Sequence, residues 1–250
     1  MNPLQANPPL TEPGPSETLL LFADISGYTR YIKQNPYAAV HALQNVRALL
    51  DAVLDQLEPE FTLAKLEGDA AFAHAPATAL LMADALPRKL LAGFTAFDAT
   101  KSRLIAANVC GCSACMALDR LDIKFILHQG PVLHFTVRNG TELGGLPVIL
   151  LHRLSKNRVP ASRYVLWTLP LSSRMQTLQP ATRLQELHEE IGSTVVEVHA
   201  LPSPAAAVVQ ASRFDRLRDL LRKELPWWWL WLKGIKGKAG AFAKEDPDQH

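Results

Sequence analysis

Apolar and polar positions change period several times along this chain. Leu19-Leu20-Leu21-Phe22-Ala23 is an unbroken apolar run that ends in Asp24-Ile25-Ser26-Gly27. Such a run reads as a strand buried on both faces, over about residues 18–23, whose tip presents a carboxylate from a tight turn. Asn35-Pro36 then opens an amphipathic helix through Leu57. Val40, Leu43, Val46, Leu50, Val53, Leu54 and Leu57 recur at helical spacing, with Arg47, Asp51 and Asp55 on the other side. Short strands are expected at 61–66 and 70–75, joined by Glu67-Gly68-Asp69, whose Gly-Asp is a hairpin signal. A helical stretch follows from Ala77 to about Ala107, kinked or broken at Pro87. Residues 121–128 and 132–137 read as a second strand pair around Gln129-Gly130-Pro131. A turn at Asn139-Gly140, a short helix over 147–156 and strands at 164–168 and 194–198 complete the pattern. This order predicts an α/β protein of the α+β sandwich type. An antiparallel or mixed sheet is covered by helices, and a doubly wound parallel sheet is excluded.

Composition changes that picture little. The 250 residues are 48% hydrophobic and 20% charged, with a net charge of +2, as in a globular chain that buries a proper core. The organisation expected is a proline-rich disordered arm over 1–16, one domain over 17–200 and a basic tail over 201–250. No secretory signal pattern and no membrane-spanning apolar run are visible, and the three cysteines all fall between residues 110 and 115. Together these point to a reducing cytoplasm.

Asp24 at a strand end and Asp69 in a hairpin turn, 45 residues later, are the first candidates for chemistry. An aspartate before a turn is by itself more often a cap. Two carboxylates at adjacent strand ends, however, suit hard divalent cations such as Mg²⁺ or Mn²⁺ on a polyphosphate.

Four motifs then carry a resemblance. Phe22-Ala23-Asp24-Ile25-Ser26-Gly27-Tyr28-Thr29 resembles the F-x-D-I-x-G-F-T signature of class III adenylate/guanylate cyclases. Lys65-Leu66-Glu67-Gly68-Asp69 is similar to their K-x-x-G-D hairpin, and Ile126 to Val132 to their I-G-I-H-x-G-P-V segment. Gly145, Val148 and Arg153 are similar to their G-x-x-V-N-x-A-x-R helix. The resemblance spans about residues 18–168 and implies the cyclase fold, a ferredoxin-like antiparallel or mixed sheet covered by helices. It implies Asp24 and Asp69 as metal carboxylates, Lys65 as the base-recognising lysine that suits adenine, and Glu142 as its acidic partner. Arg153 is implied as the arginine that stabilises charge on the reacting phosphate. It further implies a nucleoside triphosphate substrate, ATP favoured, and a head-to-tail homodimer in which the carboxylates of one protomer face the lysine and arginine of the other.

The chain also departs from that family. Ile149 stands where the last motif has asparagine and offers no hydrogen bond to ribose or phosphate. The late strand that supplies a phosphate lysine has its nearest counterpart in Val195-Val196-Glu197-Val198, which has no lysine. The expected outcome is a cyclase-like domain that binds nucleotide and metal with weak or lost turnover. An active adenylate cyclase and a non-catalytic signalling or membrane adaptor are the alternatives.

Two features lie outside the resemblance. Cys110-Gly111-Cys112-Ser113-Ala114-Cys115, in an insert over 108–116, offers three thiolates to a tetrahedral Zn²⁺, with a fourth ligand from a histidine, a carboxylate or a partner chain. The alternatives are an iron–sulfur centre, which would also need a fourth ligand, a redox-sensitive cluster, and reduced packing cysteines without metal. Residues 213–244 carry nine basic against three acidic residues around Trp227-Trp228-Trp229-Leu230-Trp231. Tryptophans beside lysines fit either a helix packed on the domain or peripheral attachment to a membrane surface, and nucleic acid is a poorer fit.

Overall fold

The computed structural model describes residues 14–204, apart from residues 83, 109, 139 and 189, together with residues 214, 216, 217 and 221. The proline-rich arm is thus described only from residue 14, and the tryptophan cluster of the tail, residues 227–231, lies outside the described residues. No helix among the described residues is long and apolar enough to cross a membrane.

Among the described residues, eight strands form one sheet: β1 (Ser16–Ser26), β2 (Thr62–Glu67), β3 (Ala70–Pro76), β4 (Asp122–Val137), β5 (Gly140–Gly144), β6 (Tyr164–Thr168), β7 (Thr182–His188) and β8 (Gly192–Ala200). Their spatial order is β2-β3-β1-β4-β6-β8-β7, with β5 paired to the far end of β4. Among the described residues, only β4 and β6 run parallel. Helices α1 (Tyr28–Gln34), α2 (Ala39–Leu57), α3 (Ala85–Ala107), α4 (Ser113–Met116) and α5 (Leu146–Leu154) complete the domain.

The central strand explains the unbroken apolar run. Leu19, Leu21, Ala23 and Ile25 face a core built with Val46, Leu49 and Val53 of α2 and Leu90, Phe94 and Phe97 of α3. Leu20 and Phe22 face the opposite core with Val148, Leu151 and Leu154 of α5. Alternate residues of one strand therefore enter two separate cores, which leaves no polar position between them.

Two expectations need correction. Residues 121–128 and 132–137 are not a hairpin but one strand, β4, which pairs with β1 continuously from Ser26↔Asp122 to Ser16↔Val132. Gly130 is needed for space, because a Cβ there would lie 2.8 Å from Pro147 Cγ. Pro131 lies opposite Glu17, near the end of the β1 ladder, where a missing N–H costs little. The reversal comes later, at Val137↔Gly140. Residues 77–82 and 84 are not helical: α3 begins at Ala85, so Pro87 occupies its first turn, where no intrahelical donor is required. The short helix α1 and the strands β5 and β7 had no periodic signal long enough to read.

His128 lies half-buried on β4, with Nδ1 2.7 Å from Thr168 Oγ1. Burial pushes its pKa from 6.5 down to about 4. Below pH 6.5 the unfolded chain takes up a proton that the folded chain refuses, so stability falls as pH drops through this window. The loss is bounded by about 3 kcal/mol and reduced by the partial exposure of the ring. Chemical denaturation of His128→Gln as a function of pH is expected to show a shallower decline than the parent between pH 6.5 and 4. Equal slopes would assign the acid sensitivity elsewhere.

Candidate functional site

The carboxylate at the tip of β1 is placed by strand pairing. Asp24 lies opposite Ala70 on β3 and opposite Lys124 on β4. The Ile25 N–H donates to the Asp69 carbonyl at 3.2 Å, which ties the β2–β3 turn to the end of β1. Gly27 follows with φ +88°, and a Cβ there would come within 3.0 Å of the Arg120 carbonyl. This turn therefore requires glycine on both conformational and steric grounds.

Asp24 and Asp69 border one cleft of about 830 Å³ together with Glu67, Lys124, Lys156, Arg30 and Arg120. The Lys124 ammonium is 3.2 Å from Asp24 Oδ2. Burial pushes the Asp24 carboxyl up, and Lys124 offsets only part of that. Asp69 is pushed further, to about 6, first by burial and then by the charge on Asp24. Two partly buried carboxylates, the second made harder to ionise by the charge on the first, form a set of oxygen donors suited to a hard divalent cation. Three acids and four bases around one cleft also suit a polyanion that brings a cation with it.

The other predicted residues lie elsewhere. Lys65 is exposed on β2 and Glu142 is exposed on β5, and among the described residues they form no ion pair with each other. Arg153, on α5, is exposed and reaches Glu190 at 3.3 Å. None of these three lines the Asp24–Asp69 cleft. Ile149 is 48% exposed on the same helix. Glu197 of β8 is a structural group, accepting from Trp167 Nε1 at 2.8 Å and from Ser172 Oγ at 2.7 Å.

Sequence reading missed Lys124. Its signal is a lone cation within Leu121-Asp122-Ile123-Lys124-Phe125-Ile126-Leu127, but only the register across β1 shows that it meets Asp24. Glu67 was read as part of a turn; it faces the cleft and lies 3.6 Å from His152 Nδ1. Lys156 also borders the cleft.

The guanylyl cyclase Cya2 superposes with a TM-score of 0.58 at 14% identity, over 78% of this chain and 97% of that one. The adenylyl cyclase CyaB from P. aeruginosa gives 0.52 at 16% identity, over 77% and 97%. A bacterial light-regulated adenylyl cyclase gives 0.54 at 17% identity, over 87% and 60%. The fold is therefore that of class III nucleotidyl cyclase domains. The family described as "Protein of unknown function (DUF2652)" matches residues 46–164. The uncharacterized protein Rv2561/Rv2562 of Mycobacterium tuberculosis is 37% identical over 150 residues, which cover 58% of this chain and 68% of that protein. On that likeness, and with a cyclase fold beneath it, the chain belongs to the family of this mycobacterial protein.

Proposed function

We propose that this domain binds a nucleoside triphosphate with a divalent cation in the cleft between Asp24 and Asp69, and that its turnover is slow or absent. The observation that carries the reading is the convergence of Asp24 of β1, Lys124 of β4 and Asp69 of the β2–β3 turn on one cleft. Mg²⁺ or Mn²⁺ fits this donor set and, when bound, would draw phosphate oxygens to the carboxylates and polarise them. Lys124 would exchange part of its contact with Asp24 for the incoming phosphates, and Lys156 and Arg120 would add charge at the rim.

The reacting end is weak. Ile149 offers no donor, and loss of one transition-state donor typically costs ~3 kcal/mol, on the order of a hundredfold in rate. Arg153 engages Glu190 instead of the cleft. A two-fold pairing of chains is the arrangement that would carry Lys65 and Arg153 of one copy to the carboxylates of the other, with ATP favoured by the lysine.

The test is calorimetric titration of ATP and GTP with Mn²⁺, followed by chromatography for cyclic product. Expected are metal-dependent binding, at most a trace of product, and an increase of about a hundredfold in that trace for Ile149→Asn. Because Ile149 is exposed, the substitution leaves the core intact. Absence of metal-dependent binding would overturn the reading. Rapid turnover by the parent chain would replace it with an active cyclase.

A further inference from the structure

The cysteine cluster gains its fourth member from a helix far away in sequence. His41 Nδ1 lies 3.4 Å from Cys112 Sγ and 3.6 Å from Cys110 Sγ. Cys110 Sγ is 3.4 Å from Cys112 Sγ and 3.3 Å from Cys115 Sγ. All four ligand atoms lie within 4.8 Å of one another, and the three cysteines are free thiols. A tetrahedral zinc ion with Zn–S of about 2.3 Å and Zn–N of about 2.0 Å has ligand–ligand edges of about 3.5–3.8 Å. The observed spacings approach those edges and are far from a disulfide, whose sulfurs sit about 2.05 Å apart. We infer that His41, Cys110, Cys112 and Cys115 form a structural Zn²⁺ site that ties α2 to the segment between α3 and β4.

Local structure supports the assignment. Gly111 has φ +59° and open space around it, so the chain turns sharply between Cys110 and Cys112 and both thiols face one point. Cys112 caps α4, and Cys115 is buried on that single turn. Asn45 lies one turn after His41 on α2; its Nδ2 approaches Cys115 Sγ at 3.7 Å and donates to Tyr31 Oη at 3.2 Å. Tyr31 Oη in turn donates to the Ala114 carbonyl at 2.8 Å. This gives a sulfur ligand an outer partner of the kind that orients metal sites. Four protein ligands leave no open position, so the ion serves structure and not catalysis. The tied segment runs on to Arg120, whose carbonyl packs under Gly27 at the cleft.

The full chain, purified under reducing conditions without added metal, is expected to carry one zinc per chain by mass spectrometry. Exchange for Co²⁺ should produce visible ligand-field bands of a tetrahedral ion and a near-ultraviolet thiolate-to-cobalt charge-transfer band. That band separates this site from the oxygen donors of Asp24 and Asp69. His41→Cys keeps four ligands; it should retain the metal and strengthen the charge-transfer band by about a third, as expected for four thiolates in place of three. His41→Ala should lower zinc affinity at least tenfold in competition with a chelator. A folded, reduced chain that holds no zinc and shows no thiolate–cobalt band overturns the inference, as does an unchanged cobalt spectrum in His41→Cys.

Discussion

Asp69→Asn is expected to abolish the stabilisation conferred by Mn²⁺ while raising the melting temperature of the metal-free chain at neutral pH. The two effects share one cause. The unfolded Asp69 carboxyl loses its proton near 3.8, whereas in the folded chain burial and the Asp24 charge hold the proton until about 6. Between those values the folded state binds the extra proton, so the contribution of this group to stability falls as pH rises through the window. Above about 6 the full cost of the ionised carboxylate is present, and an amide removes it. A bound divalent cation reverses the sign, because it favours the ionised form; its affinity should therefore rise from about pH 5 to pH 7 and then level off.

Asp24→Ala provides the contrast. It also removes a metal carboxylate, but it leaves the Lys124 ammonium, only 19% exposed, without its 3.2 Å partner. That variant should lose the metal response and some stability together. In each case the loss of metal affinity should exceed the ~10–100-fold that even outer-shell partners of metal sites contribute. Thermal denaturation with and without Mn²⁺ measures both quantities. An Asp69→Asn chain that keeps its Mn²⁺ response, or is less stable than the parent without metal, would remove Asp69 from the site.

The legible parts of the sequence were those whose physics is local. A doubly buried strand such as β1 has no polar interruption from Leu19 to Ala23, and Gly27 is required at its turn by a positive φ. Both therefore stand out in one dimension. The Gly130-Pro131 pair misled because these residues usually mark turns, whereas here glycine makes room for Pro147 and proline faces the fading end of a ladder. Lys124 and His41 were illegible for a different reason. Each acquires its role through a contact across 100 residues or 69 residues of chain, set by register in one case and by helix packing in the other. Lys65, Glu142 and Arg153 were legible as motif positions, yet one chain does not bring them to the carboxylates.

Arg163→Ala is expected to destabilise the domain by about 3–5 kcal/mol, more than any surface ion pair would cost. Arg163 immediately precedes β6, and its side chain is 6% exposed. Its guanidinium grips Asp98 of α3 through two bonds of 2.7 and 3.0 Å and Asp122 of β4 through one of 2.9 Å. Its charge also lies 4.5 Å from the Phe94 ring centroid. Asp122 is equally buried, accepts from the Ile123 N–H at 2.9 Å, and meets the Ser203 hydroxyl. Removing the arginine leaves the buried Asp122 without its cation and deprives Asp98, 22% exposed, of its two bonds, so the cost includes the desolvation of Asp122 and not the lost bonds alone. In a chain of this size the melting temperature should fall by about 10 °C. Because the pairs are shielded from solvent, added salt should not rescue the variant, whereas it would weaken an exposed pair in the parent. Adding Asp98→Asn and Asp122→Asn should recover part of the loss, because an amide keeps an acceptor oxygen without the buried charge. Urea denaturation of the single and triple variants distinguishes these outcomes, and a loss under about 1 kcal/mol for Arg163→Ala would show the network to be solvated. The effect should reach the cleft, because Asp122 anchors the start of the strand that carries Lys124 to Asp24 two residues later. A weakened grip on Asp122 should therefore lower metal-dependent nucleotide binding even under conditions where the variant remains folded.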